Sequence, residues 1–233
     1  MIDWRLHLVT SGDGPATVRA AAAAAAAGAG IVQVRAKHLL AGELLDLVLS
    51  VAGAVAEVAP TTLVIVNDRA DVAHAARRRG APVHGVHLGQ ADLPTADARA
   101  LLGPDALVGL TAGTLEHVRA AEARVGADRP DYLGCGPYRP TPTKSVGRPP
   151  VGLAGYPLRA AATDLPVVAI GDVTVADVPA LSLTGIAGVA VVREIMGAHD
   201  PGDAAAACLS AWAAGPPPRR RRGPAGRPAA PRG

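Results

Sequence analysis

Apolar positions fall along this chain in two alternating textures. Short β-branched or apolar runs recur at Leu6–Thr10, Ile31–Arg35, Leu63–Val66, Gly85–Leu88, Ala106–Leu110, Tyr132–Gly134, Val167–Ile170 and Gly188–Val192. Between them lie Ala- and Leu-rich stretches in which apolar residues return every three or four positions. Leu44, Leu45, Val48, Leu49, Ala52 and Val55 make one such face. The first texture predicts strands and the second amphipathic helices. Pro15 and Pro94 suit first helical turns. Strands in strict alternation with helices predict parallel βαβ units, and eight such units close into a (β/α)8 TIM barrel. An open doubly wound sheet is the runner-up, and it would place a Gly-x-Gly-x-x-Gly turn after the first strand. The residues there, Thr10-Ser-Gly-Asp-Gly-Pro15, do not match it.

Composition sharpens this picture in two ways. Hydrophobic residues make up 49% of the 233 positions but aromatics only 2%, so the core must be built from Val, Leu, Ala and Ile. The formal charge of +3 is misleading, because residues 215–233 carry six arginines and no acid; without them it is −3. That segment is also rich in proline, so a disordered basic tail is expected beyond a catalytic domain at residues 1–214. The Arg219–Arg222 run gives no aromatic platform or folded basic face, so no specific nucleic-acid partner is expected. The first residues lead directly into a strand-like run, and the Ala-rich stretch at 20–30 is too short to span a bilayer. No secretory leader or membrane segment is expected, and the chain reads as cytoplasmic. Cys135 and Cys208 lack metal-type spacing and read as buried thiols. The oligomeric state is left open; a homo-oligomer is compatible with the sequence.

The chemistry is concentrated in rare residues. Of 23 basic side chains only Lys37 and Lys144 are lysines; Asn67 is the one asparagine, and Gln33 and Gln90 are the glutamines. All five fall at the C-terminal ends of expected strands, where the active sites of βα barrels are assembled. Gln33, Arg35 and Lys37 follow a spacing of two, which puts them on one face of a strand. Asn67 and Asp68 close the third strand, and Gln90 and Asp92 follow the fourth; each pair also suits a helix cap or turn. Because consecutive barrel strands are neighbours, Asp68 and Asp92 can approach one point. Two carboxylates plus phosphate oxygens suit a hard cation such as Mg2+. Thr111 follows the fifth strand, as a cap or a substrate contact. The sixth leads into Cys135-Gly-Pro-Tyr-Arg-Pro-Thr-Pro-Thr-Lys144, with Thr141 and Thr143 beside the second lysine. Gly171 and Asp172 follow the seventh strand and Val192 and Arg193 the eighth, where such barrels often bind phosphate. His74, His84, His87 and His117 have no triad or ligand spacing and read as structural.

These motifs together resemble the thiamine-phosphate synthase family. The pieces that carry the resemblance are Gln-Val-Arg-Ala-Lys, Val-Asn-Asp, His-Leu-Gly-Gln-Ala-Asp, Gly-Pro-Tyr-Arg-Pro-Thr-Pro-Thr-Lys and Ala-Ile-Gly, in order at successive strand ends. The resemblance implies a transferase that joins a hydroxymethylpyrimidine diphosphate to a thiazole phosphate (or its carboxylated form) with Mg2+. Pyrophosphate leaves first, and the thiazole nitrogen then captures the pyrimidine methylene cation. It further implies that Arg35, Lys37, Asn67 and Lys144 hold the pyrophosphate and that Asp68 and Asp92 bind Mg2+. Gln33 and Thr111 would orient the pyrimidine. Thr141 and Thr143, with the backbone at Gly171, Asp172, Val192 and Arg193, would hold the thiazole phosphate. No general base is required.

Three positions depart from the family pattern. Thr111 stands for the usual Ser and keeps the hydroxyl. Asp92 lies 24 residues after Asp68, several more than usual, with the surplus around Arg77–Pro82. Asp172 replaces the second glycine of a Gly-Gly pair, and its carboxylate is expected to turn outward or pair with Arg193. A thiazole tautomerase of the same superfamily would have no use for two metal-binding acids beside Arg35, Lys37 and Lys144. A non-catalytic phosphate-ligand-binding barrel is supported only by Asp172.

Overall fold

The computed structural model describes residues 1–140 and 149–213. Eight parallel strands form a closed barrel in sequence order. They are β1 (Leu6–Val9), β2 (Ile31–Val34), β3 (Leu63–Asn67), β4 (Gly85–Leu88), β5 (Leu107–Thr111), β6 (Tyr132–Cys135), β7 (Val167–Ile170) and β8 (Gly188–Val191). Closure is direct, with Leu8 of β1 opposite Val191 of β8. The eight expected runs coincide with these strands to within a residue or two at each end.

Helices on the described residues follow the strands. They are α1 (Pro15–Ala26), α2 (Ala41–Val58), α3 (Ala70–Arg78), α4 (Thr95–Leu102), α5 (Leu115–Glu122), α6 (Tyr156–Ala161), α7 (Val178–Ser182), α8 (Arg193–Met196) and α9 (Pro201–Ala213). Helix α1 starts on Pro15, whose missing N–H costs nothing in a first turn. It buries Ala20, Ala21, Ala24 and Ala25, short side chains that let the helix lie close to its neighbours. Helix α2 buries Leu44, Leu45, Leu47, Val48, Val51, Ala52 and Val55. At its start the Glu43 carboxylate accepts the Leu40 backbone N–H at 2.9 Å, satisfying one of the first-turn donors. No helix among the described residues is long and apolar enough to cross a membrane.

Apolar side chains form two layers. The larger lies between strands and helices; the smaller, inside the barrel, contains Val9, Ile31, Ile65, Leu107, Tyr132, Val168 and Ala190. Inside a barrel every second residue of each strand points inward, so space there is tight. Tyr132 is the large aromatic in that interior, and Gly109 of the neighbouring strand makes room for it. A Cβ on Gly109 would lie 2.3 Å from the Tyr132 ring and 2.5 Å from His87. The barrel floor is thus closed by apolar packing, leaving the C-terminal mouth for polar chemistry.

Candidate active site

A cavity of about 370 Å³ opens at that mouth. Val9, Gln33, Arg35, Lys37, Asn67, Asp68, His87, Thr111, Gly171, Asp172, Val192 and Arg193 all contribute to its wall. Most of the expected residues therefore meet in one place. Thr141, Thr143 and Lys144 lie outside the described residues. Asp92 does not line the cavity itself, but its carboxyl interacts with that of Asp68.

The first rim is built by β2, β3 and β4. Gln33 is the penultimate residue of β2, which ends at Val34. Arg35 and Lys37 therefore leave from the loop and not from the strand. The spacing-of-two argument overreached by one turn of pleat, although all three side chains still converge. The Gln33 side-chain amide donates to Asn67 Oδ1 at 2.6 Å, bridging neighbouring strands at the cavity floor. Neither Asn67 nor Asp68 caps a helix, because the residue before α3 is Arg69. Asp68 instead adopts φ 62°, a left-handed conformation that Asp tolerates better than most residues. Its carboxylate pairs with Lys37 Nζ at 2.7 Å.

Asp92 folds back on its own loop, accepting the Gly89 N–H at 2.6 Å. A Cβ at Gly89 would sit 2.9 Å from that carboxylate, so the turn depends on glycine. The helix-cap alternative fails here as well, since α4 is preceded by Pro94. The Asp68 and Asp92 carboxyls interact directly, and their affinities for protons are pulled apart. Burial and the neighbouring Asp68 charge hold Asp92 above the ordinary aspartate range. At Asp68 burial also pushes upward, but the Lys37 ammonium outweighs it and the net shift is downward. Two close carboxylates sharing one ammonium leave an excess of negative charge, which suits a divalent cation with oxygen preference. Among the described residues no cluster of three or more His, Cys, Asp or Glu forms a complete metal cage. Any cation here would complete its shell with other oxygens.

The second rim is built by the loops after β7 and β8. Asp172 also sits at φ 62°, a left-handed conformation that favours glycine. Its carboxylate pairs with the Arg193 guanidinium, as expected. From the β6 loop, Arg139 donates to the Asp172 backbone carbonyl at 3.2 Å and to Asp177 Oδ2 at 2.7 Å. The Arg139 guanidinium lies 4.7 Å from the centre of the Tyr138 ring. Asp177 also accepts the Thr174 N–H at 2.9 Å. Burial pushes the Asp177 carboxyl up, but the Arg139 and Thr174 hydrogen bonds prevail and hold it below its ordinary range.

Thr111 ends β5 and does not cap α5; Thr114 does, accepting the His117 N–H at 3.1 Å. Thr111 Oγ1 lies 3.1 Å from His87 Nε2, and His87 Nδ1 lies 2.8 Å from the Tyr132 hydroxyl. His87 is thus part of the cavity wall, which corrects its reading as a purely structural residue. The period of two in β4 carried a signal, since Gly85 and His87 share the face opposite Val86 and Leu88. Gln90 reaches the Thr111 carbonyl at 2.5 Å and so belongs to loop architecture.

A parallel barrel whose C-terminal mouth gathers amides, cations and paired carboxylates defines a (β/α)8-barrel enzyme. The sequence model described as thiamine monophosphate synthase matches residues 6–195. A thiamine-phosphate synthase of Corynebacterium efficiens is 51% identical over 200 residues, covering 85% of this chain and 90% of that protein. One from Corynebacterium jeikeium is 49% identical over 200 residues, covering 86% and 90%. Among solved structures, the thiamine phosphate pyrophosphorylase of Pyrococcus furiosus superposes with a TM-score of 0.78 at 27% identity, covering 91% of this chain and 97% of that one. The chain belongs to the thiamine monophosphate synthase family.

Proposed function

We propose that this protein joins a hydroxymethylpyrimidine diphosphate to a thiazole phosphate, releasing thiamine monophosphate and pyrophosphate. The observation that carries the reading is the two-rimmed mouth. One rim gathers Arg35, Lys37, Asn67 and two interacting carboxylates, and the other is formed by the β7 and β8 loops around Asp172 and Arg193. Such a mouth suits two substrates that each carry phosphate.

On this reading the methylene C–O bond of the diphosphate breaks first, and its electron pair leaves with pyrophosphate. Negative charge grows on the departing group, so fixed cations aimed at it lower the barrier. Arg35 and Lys37 supply those charges from the loop after β2, with Asn67 as a neutral donor and Lys144 as a further cation. Gln33 and Thr111 hold the aminopyrimidine, which stabilises the methylene cation. The thiazole nitrogen then forms the C–N bond through its own lone pair, so no side chain needs to remove a proton. Thr141 and Thr143, with the backbone at Gly171, Asp172, Val192 and Arg193, position the thiazole phosphate.

Mg2+ fits the donor set of Asp68 and Asp92. When bound it would neutralise charge on the diphosphate oxygens. Residues 1–214 would form the catalytic domain, with residues 215–233 taking no part in the chemistry. A biosynthetic role of this kind suits the cytoplasm.

The test is a coupling assay with both substrates, with and without Mg2+, on wild type and Lys144→Ala. Thiamine phosphate and pyrophosphate are expected in equal amounts, dependent on Mg2+ and strongly reduced in the variant. No thiamine phosphate under any condition would end the reading.

A further inference from the structure

Tyr132, His87 and Thr111 run in line across the barrel interior, from its core to the cavity wall. Tyr132 is fully buried, with 1% of its surface exposed. Among the described residues its hydroxyl meets one hydrogen-bonding group, His87 Nδ1 at 2.8 Å. His7 lies close enough to form an edge-on ring contact with Tyr132, and it also neighbours the Gln33 side chain. Burial pushes His7 down to about 3, so it is neutral and brings no competing charge. Burial, aided by the Asp131 charge, raises the Tyr132 phenol well above its usual range, so it keeps its proton.

That proton has one destination. A buried O–H left without an acceptor costs about 1–3 kcal/mol, so the phenol donates to Nδ1. A neutral imidazole that accepts at Nδ1 carries its hydrogen on Nε2. The Nε2–H faces Thr111 Oγ1 at 3.1 Å and donates to it. The Thr111 hydrogen therefore cannot point back at His87 and is left to the cavity. Beside it, the Gln33 amide donates one N–H to Asn67, which fixes the plane of the amide and turns its oxygen, an acceptor with two lone pairs, away from Asn67.

We propose that Tyr132 and His87 are positioning residues that fix the Thr111 hydroxyl as a hydrogen-bond donor to a ring nitrogen of a diazine substrate. The inference rests on the proposed synthase reading and adds a direction to it. The wall presents a donor at Thr111 and an acceptor at Gln33. That is the complement of an aminopyrimidine edge, where a ring nitrogen accepts and the amino group donates. A wall with a freely rotating hydroxyl would accept either edge of the ring; a directed one selects the orientation.

The experiment uses the full chain labelled with [15N]histidine, with the His87 signals assigned by their loss in His87→Gln. At neutral pH without substrate, wild type is expected to show a protonated Nε2 and a bare Nδ1. Tyr132→Phe keeps the ring and removes the donor, and it is expected to give a mixture of tautomers. In the coupling assay Tyr132→Phe should lower kcat/KM for the pyrimidine diphosphate about 5- to 10-fold, the scale of one hydrogen bond. The same change made in Thr111→Val should cost nothing further. A protonated Nδ1 in wild type, alone or with Nε2, overturns the proposal, as do additive losses. If Tyr132→Phe does not fold, the wild-type spectrum decides alone. If wild type makes no thiamine phosphate, the synthase reading fails, while the tautomer still reports on the relay.

Discussion

Asp68 and Asp172 are a matched pair on opposite rims of the barrel mouth. Each stands just past the end of a strand with φ 62°. Each pairs with a cation from the strand end next door: Lys37 after β2 for Asp68, and Arg193 after β8 for Asp172. Their surroundings differ. Asp68 has a second carboxylate, Asp92, beside it and one compact ammonium to share. Asp172 has a guanidinium on its side chain and a second, Arg139, on its carbonyl, itself neutralised by Asp177. The Asp68–Asp92 pair has one ammonium for two carboxylates, whereas the second rim is closed on itself. The same backbone device thus serves two ends. On the proposed reading, one would leave side-chain oxygens for a cation, and the other would remove a carboxylate from play so that backbone N–H groups could face an anion.

The largest expected effect lies on the first rim. Lys37→Ala should lower kcat about 100- to 1000-fold, as the loss of one preorganised charge at a developing anion typically does. Lys37→Arg should also lose substantially, because a rigid fork cannot follow a departing group as a compact ammonium can. Near-wild-type turnover in Lys37→Arg would return the lysine to coincidence.

Next comes the cation. Asp92→Asn should raise the Mg2+ concentration needed for half-maximal rate by at least the roughly 10- to 100-fold that even outer-shell changes cost. A pH dependence accompanies it. Because the Asp92 carboxyl is held above its ordinary range, acidification protonates it sooner than a free aspartate, and the protonated form is a poor ligand. The Mg2+ requirement of wild type should therefore climb before pH reaches the usual aspartate value of about 4. A requirement that stays flat down to that point would remove Asp92 from the metal site.

On the second rim the effects shrink. Arg193→Ala leaves the Asp172 carboxylate unpaired, and KM for the thiazole phosphate should rise about 10-fold, the scale of one uncompensated charged contact. Asp172→Gly removes the carboxylate and restores the residue best suited to φ 62°, so KM should change by less than about threefold. A large drop in KM would show that the Arg193 pair fails to compensate. Deleting residues 215–233 should change turnover by less than about twofold, since none of the residues assigned to the chemistry falls in that Arg- and Pro-rich segment.

The two rims also differ in how far they could be read in advance. The first rim was visible because it uses residues that are scarce elsewhere in the chain, and because these fall at strand ends. The strands themselves were legible as β-branched runs spaced by helical periodicity. The second rim depends on backbone shape, and what pointed to it was its place after the seventh and eighth strands, together with Arg193 and the oddity of Asp172. Arg139 and Asp177 are far apart in sequence and meet through the β6 and β7 loops, a contact that no local pattern encodes. His87 and Tyr132 were missed for a different reason. Their importance depends on which phase of a short strand faces inward and on Gly109 opening space between them. The alternation argument also placed Arg35 and Lys37 on a strand that ends at Val34. Strand ends are set by where pairing stops, which sequence period does not reveal.

The central claim is that the two rims divide the two substrates. Calorimetric titration of inorganic pyrophosphate into wild type, Lys37→Ala and Arg193→Ala, with and without Mg2+, tests it without turnover. The account predicts Mg2+-dependent binding to wild type and to Arg193→Ala, and its loss in Lys37→Ala. Loss in Arg193→Ala with retention in Lys37→Ala would contradict it.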